Sequence, residues 1–187
     1  MSEATYLTGQ LLIAMPAMLD PNFRRTVTYI CEHSEHGALG LVINRPMDID
    51  LGRIFDQLSM TTIDPDLAHT PIMCGGPVQT ERGFVIHESA AEWETSASIS
   101  DSIQVTTSQD ILTSMAAGNG PTRAIVALGY AGWSAGQLEF EITENAWLSV
   151  PANPRILFDT PFGERWKEAA GLLGIDLATL SMDAGHA

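Results

Sequence analysis

Positive charge is scarce in this chain. Lysine occurs once, at Lys167, and eight arginines lie between positions 24 and 165, against 23 acidic residues, for a formal net charge of −14 over 187 residues. No basic stripe exists to neutralise a run of phosphates, and the net field repels a duplex at long range. Direct nucleic-acid binding is therefore disfavoured, and Arg24-Arg25 is the one adjacent pair that could seed a basic face. Cysteine is almost as rare. Cys31 and Cys74 sit in apolar strand-like runs, form no disulfide framework, and read as buried, reduced thiols. No apolar run approaches the length of a membrane span. Residues 11–15 are apolar, but Pro16 interrupts them and no Lys or Arg precedes them, so they read as a strand and not a signal peptide. The expected location is the cytoplasm, with no membrane contact.

What is present is a globular composition, 45% hydrophobic and 17% charged, which suits one domain over residues 1–187 with a real core. Residues 10–14 predict a short buried strand. Residues 26–31 and 38–43, joined by a polar turn at Gly37, predict a hairpin, with Gly40 marking a bulge or a close backbone approach. Asp50 caps a helix with Leu51, Ile54, Phe55 and Leu58 on one face, and residues 59–70 read as a polar loop. Strands follow at 71–74 and 83–86, around Gly75-Gly76-Pro77. Residues 88–102, acidic and rich in Ser and Ala, read as the longest irregular stretch. A strand at 103–106, a helix capped by Ser108 and a central apolar strand at 123–128 lead into the glycine-rich segment Gly129-Tyr-Ala-Gly-Trp-Ser-Ala-Gly136, read as a turn. A helix ending near Asn145, a strand at 147–150 and a C-terminal helix stopped by Gly174 complete the pattern. Hairpins mixed with single helices indicate an α+β fold, a single domain with a mixed, strongly curled β-sheet and helices packed outside it.

Chemistry concentrates in a few segments. Gly132-Trp-Ser134-Ala-Gly136 fits G-x-S-x-G between a predicted strand and a predicted helix, the setting of a nucleophile elbow. Asp159, Asp176, Asp183 and His186 follow in the order a serine hydrolase needs, although His186 is the penultimate residue and regular βα alternation is missing. The glycine spacing matches neither dinucleotide fingerprint nor P-loop, which leaves no nucleotide cofactor, while backbone N–H groups there stay open to a small anion or carboxylate. On a strand Cys31 and His33 share a face, and His36 could fold back from the turn. With Cys74 or His69 far away they make an incomplete metal set, better read as a solvated hairpin tip, so no metal is assigned. Leu138, Phe140 and Ile142 alternate as in a strand, yet Leu138 and Ile142 also have helical spacing. In a helix, the preferred reading, Gln137 and Glu141 share a face while Glu139 points elsewhere; in a strand all three align. Arg45, at a strand exit in a cation-poor chain, invites a carboxylate partner such as Glu139.

Several ordered motifs together span nearly the whole chain. They include Leu7-Thr-Gly-Gln-Leu-Leu-Ile-Ala-Met-Pro, Phe23-Arg-Arg-Thr-Val, His36-Gly-Ala-Leu-Gly-Leu-Val-Ile-Asn-Arg-Pro46, Cys74-Gly-Gly-Pro-Val78, the glycine-rich segment through Glu139, Asn145-Ala-Trp-Leu148, Ile156-Leu-Phe and Gly185-His-Ala187. In combination they resemble the AlgH/YqgE family of bacterial proteins. The resemblance implies a mixed sheet curled into a partial barrel with flanking helices. It also implies kinship with a protein described as a transcriptional regulator of alginate synthesis, and it supplies no catalytic residue or cofactor. The expectation is a non-enzymatic cytoplasmic regulatory or binding protein acting through a protein or small-molecule partner. Its binding residues are expected to be Asn44, Arg45, Gly75, Gly76, Trp133, Gln137 and Glu139, at three strand exits that converge on one surface. The alternative is a serine hydrolase using Ser134.

Overall fold

A computed structural model describes residues 6–89, 91 and 93–177. Its centre is a ten-stranded mixed sheet, curled into a half-barrel along the eight-strand path β10-β1-β2-β3-β9-β6-β8-β7. The strands are β1 (Gln10–Ala14), β2 (Val27–Ser34), β3 (Gly37–Val42), β4 (Pro46–Asp50), β5 (Pro71–Cys74), β6 (Val78–Glu88), β7 (Ser96–Ser98), β8 (Ile103–Thr106), β9 (Ala124–Ser134) and β10 (Trp147–Pro151). The helices are α1 (Leu51–Gln57), α2 (Pro65–Ala68), α3 (Asp110–Ala116), α4 (Gln137–Thr143) and α5 (Arg165–Gly171). The expected α+β partial barrel is what the chain forms.

Alternation along the strands explains the layering. Leu11 and Ile13 of β1, Phe84 and Ile86 of β6, and Ile125 and Ala127 of β9 point to a face shared by most of the sheet, closed by Ile156, Leu157, Ala169 and Ala170. The intervening residues point the other way. Leu12, Ile30, Trp133 and Trp147 pack with Leu138 of α4, while Val85 and Val126 pack with Leu51 and Phe55 of α1 and Ile111 and Met115 of α3. Both faces are covered, so the strands read as nearly continuous apolar runs.

Strand β9 positions everything that follows. Its first half runs parallel to β5, Met73 beside Ala127, and its second half runs antiparallel to β3, Gly40 beside Ala131. The change of partner occurs at Gly129, whose φ of 78° is open to glycine and strained for other residues. The segment expected to be a turn from Gly129 is thus mostly strand, and only Ala135 and Gly136 turn before α4. Here ladder hydrogen bonds on both sides outweigh the local glycine signal.

Smaller differences have equally local causes. Ser108 does not cap α3; its hydroxyl donates to Asp110 Oδ1 at 2.5 Å, and the helix begins at Asp110 behind Gln109. The 59–70 loop contains α2, capped by Asp64, and the 88–102 stretch contains β7. A π-helical turn, Arg155–Asp159, lies where the sequence pattern predicts no element. Asp50 caps α1 as expected, its carboxylate accepting from the Arg53 amide at 3.1 Å.

Candidate functional site

The β3–β9 register sets Trp133 and Ser134 beside Ala38 and Gly37, at the start of β3. From there α4 folds back, and its polar residues divide as a helix requires. Gln137 and Glu141 share one face, with Gln137 Nε2 donating to Glu141 Oε2 at 2.8 Å. Glu141 Oε1 accepts from two indoles, Trp133 at 3.1 Å and Trp147 at 2.9 Å. Phe23 stacks on Trp133 and meets Trp147 edge-on, which completes an aromatic block around that carboxylate. Glu139, on the other side of α4, hydrogen-bonds His33 Nε2. His33 Nδ1 accepts the Leu7 amide at 2.9 Å, so Nε2 carries the ring proton and donates it to Glu139.

This end of the molecule does not assemble a hydrolase. Ser134 Oγ and its own N–H both donate to Gln137 Oε1, at 3.2 Å and 2.9 Å. No imidazole hydrogen-bonds the hydroxyl among the described residues, and both nitrogens of His33 are already committed. Asp159 pairs with Arg123 at 2.7 Å. Asp183 and His186 lie outside the described residues, as does the closing Gly185-His-Ala187. The Arg45–Glu139 pair does not form either, because the two side chains belong to opposite ends of β3.

Arg45 and Asn44 leave β3 at its far end. Asn44 clamps two strands, its Oδ1 accepting from Val27 N–H and its Nδ2 donating to Arg25 O, each at 2.9 Å. Arg45 Nη2 donates to Arg24 O at 2.9 Å. Gly75 lies alongside, its carbonyl accepting from Val42 N–H and its N–H donating to Leu128 O, both at 2.8 Å. A Cβ on Gly75 would sit 2.3 Å from the Gly129 carbonyl oxygen, and one on Gly76 2.1 Å from the Tyr130 carbonyl carbon. The two glycines therefore serve backbone-to-backbone packing against β9. Of the three strand exits expected to converge, two do so; Trp133, Gln137 and Glu139 occupy the other end of the β3–β9 ladder.

Residues outside the expected binding set complete the β3 exit. Arg24 and Arg25 are exposed, and the Arg25 guanidinium lies over the Trp166 ring, 5.3 Å from its centroid. Arg165 is buried, donating through Nη1 to Ile43 O and through Nε to Thr160 O at 3.1 Å. Burial holds its pKa down to about 10. The clue to Arg165 was only its place on the apolar stripe of the C-terminal helix.

An AlgH-like family model matches residues 11–178. The chain belongs to the AlgH-like family. A UPF0301 protein of Burkholderia vietnamiensis is 55% identical over 188 residues, covering 100% of this chain and 98% of that one. A UPF0301 protein of Burkholderia multivorans is 54% identical with the same coverage. The solution structure of the AlgH protein from Pseudomonas aeruginosa matches with a TM-score of 0.79 at 49% identity, over 97% of this chain and 96% of that one. A crystal structure of a Corynebacterium diphtheriae protein matches with a TM-score of 0.73 at 20% identity, over 97% and 94%, and shows the fold alone.

The hairpin tip of this AlgH-like chain does not gather a metal set. The β2–β3 register slips between Ile30 and Glu32, so Cys31 bulges. The bulge reverses the facing beyond it. Cys31 packs on the cluster of Leu11, Tyr29 and Leu41, whereas His33 turns toward α4, and the shared face expected of them is lost. Burial and the neighbouring Glu32 push the Cys31 thiol up to about 12. His36 is exposed beside Glu35. Among the described residues no three His, Cys, Asp or Glu side chains group as ligands. A groove of about 590 Å³ also opens between α1, β6 and α3, floored by Phe84, Val126 and Leu128.

Proposed function

We propose that this AlgH-like chain is a non-catalytic binding protein of the cytoplasm that regulates through a ligand or partner, and that its working face is the β3 exit. One observation carries the reading: Asn44, Arg45, Gly75 and the Arg24-Arg25 loop are joined there by direct hydrogen bonds or adjacent strands, which presents arginines on a rigid frame in an otherwise acidic chain. The free thiols of Cys31 and Cys74 support a reducing compartment. The resemblance to a protein described as a transcriptional regulator is what suggests regulation, and the net charge of −14 favours a partner other than duplex DNA.

The test is complementation. In a strain lacking the gene, the altered transcript profile should be restored by Ser134→Ala and not by the double variant Arg24→Ala/Arg45→Ala. Failure of Ser134→Ala together with full rescue by the arginine variant would reject the reading and return attention to Ser134.

A further inference from the structure

Four of the nine basic residues meet at the β3 exit. Arg45 reaches the Arg24 carbonyl, Asn44 reaches the Arg25 carbonyl, and Arg165 reaches the carbonyl of Ile43, the residue before Asn44. Arg25 lies over Trp166, the neighbour of Arg165. None of the four has a carboxylate within 4.0 Å among the described residues, a state they share with Arg53 and Arg82, whereas Arg123 and Arg155 are paired. Carbonyl oxygens orient a guanidinium but do not neutralise it. Like charges held together at a partly dry surface repel one another, at a cost that rises as water is excluded. In a chain with 23 acidic residues, no carboxylate of the described residues comes within ion-pair distance of this cluster, and Asp20 meets Arg24 only through its carbonyl.

Two features add to that cost at the same place. Arg25 has φ 57°, the left-handed region that a non-glycine residue enters only at a cost in backbone strain. It is held there by the Asn44 amide on its carbonyl and by the turn from Phe23 to Thr26. Arg165 is only 6% exposed, a desolvated cation whose partners among the described residues are backbone carbonyls. Repulsion, backbone strain and desolvation concentrated at one surface are offset when an anion binds there.

We infer that the β3 exit is a binding site for a phosphate group on a small molecule, gripped by Arg24, Arg25 and Arg45, with Arg165 adding buried positive charge. A carboxylate satisfies one planar guanidinium fork through two parallel bonds. A phosphate dianion offers three strong acceptor oxygens in three directions, which suits guanidinium groups arriving from a loop, a strand exit and a helix. This inference rests on the reading of the β3 exit as the working face.

The test is a titration of the full-length ¹⁵N-labelled protein with inorganic pyrophosphate, with citrate as a carboxylate control. Trp166 is a built-in reporter, since its indole N–H donates to Ala14 O at 2.8 Å beneath Arg25. The expected result is a saturable shift of the Trp166 indole and of the Arg25 and Arg45 Nε–H signals, with Arg82 and Arg155 unmoved. Arg24→Ala, at an exposed position, and Arg45→Ala should each weaken binding about tenfold, as loss of a charge-assisted contact predicts. Arg45→Lys, which keeps the charge but loses the fork, should weaken it less, and Ser134→Ala should leave it unchanged. Ligand-free melting of each variant separates lost binding from lost folding.

Absence of saturation at millimolar pyrophosphate, equal shifts at all arginines, or citrate binding as tightly would overturn the inference. Arginine variants that fail to restore transcripts while the wild type ignores pyrophosphate would reject the phosphate ligand and leave the working face standing. Pyrophosphate binding with full rescue by the same variants would do the reverse.

Discussion

His87 shows how a single side chain can be held in one protonation state by neighbours that are all neutral. The ring is fully buried on β6. Its Nδ1–H donates to the Glu88 carbonyl at 2.9 Å, and its Nε2 accepts from Thr106 Oγ1 at 2.7 Å. Thr106 Oγ1 in turn accepts from Ser96 Oγ at 2.7 Å, and Ser96 Oγ accepts from the Trp93 amide at 3.1 Å. Every hydrogen in this chain has one consistent direction, and a second ring proton would reverse it. Burial lowers the His87 pKa, with the Glu88 carbonyl opposing the shift. The unfolded ring titrates near ~6.5, so below that pH the unfolded chain binds the extra proton and stability falls, while above it the effect vanishes. Urea midpoints measured between about pH 7 and pH 5 should therefore drop with acid, and His87→Gln should remove part of that slope. Identical slopes in the two proteins would show that His87 is not the group responsible.

At the scale of elements, the contact of the Gly75-Gly76 loop with the bend of β9 holds the sheet's two pairing patterns together. The loop accepts Val42 N–H on one side and donates to Leu128 O on the other, bridging β3 and β9 where they separate. Its approach is so close that Gly76→Ala would place a methyl group on the Tyr130 backbone. The clash is with main chain and cannot be relieved by a rotamer change. The substitution should destabilise by roughly 1–3 kcal/mol, read as a lower urea midpoint with an unchanged m-value. The stop at Gly136 and the restart in α4 were legible because a glycine next to a helix-forming run is a local signal. The continuation of β9 through Gly129 was not, because strand pairing depends on residues about 50 and 90 positions earlier in the chain. The bulge at Cys31 was signalled only by Gly40 opposite, and its consequence for His33 required the register itself.

At the scale of the whole molecule, charge and its distribution give different answers. The sum is −14, so a duplex meets a repulsive field at long range. The protein should not retard promoter DNA even at about 50 mM salt, where phosphate contacts are strongest. A shift that weakens steeply as salt rises would contradict this and make the arginine face a backbone-binding surface. The distribution, by contrast, places four arginines on one frame, and that local concentration is invisible to a net charge.

The chain's amino acids alone were enough to establish its kinship, its α+β class and most of its elements. Apolar alternation, the Asp50 cap and glycine stops act over a few residues and need no distant partner to be read. Kinship and composition likewise set the expectation of a binding role over chemistry at Ser134. Only the tertiary structure decided which polar residues meet. It separated Arg45 from Glu139, gave Glu139 to His33 and Glu141 to two tryptophans, and brought Arg165 to residues more than 100 positions away. The physical reason is that hydrogen bonds and ion pairs act over a few ångströms. Sequence separation says nothing about such distances until the sheet has chosen its register and curl.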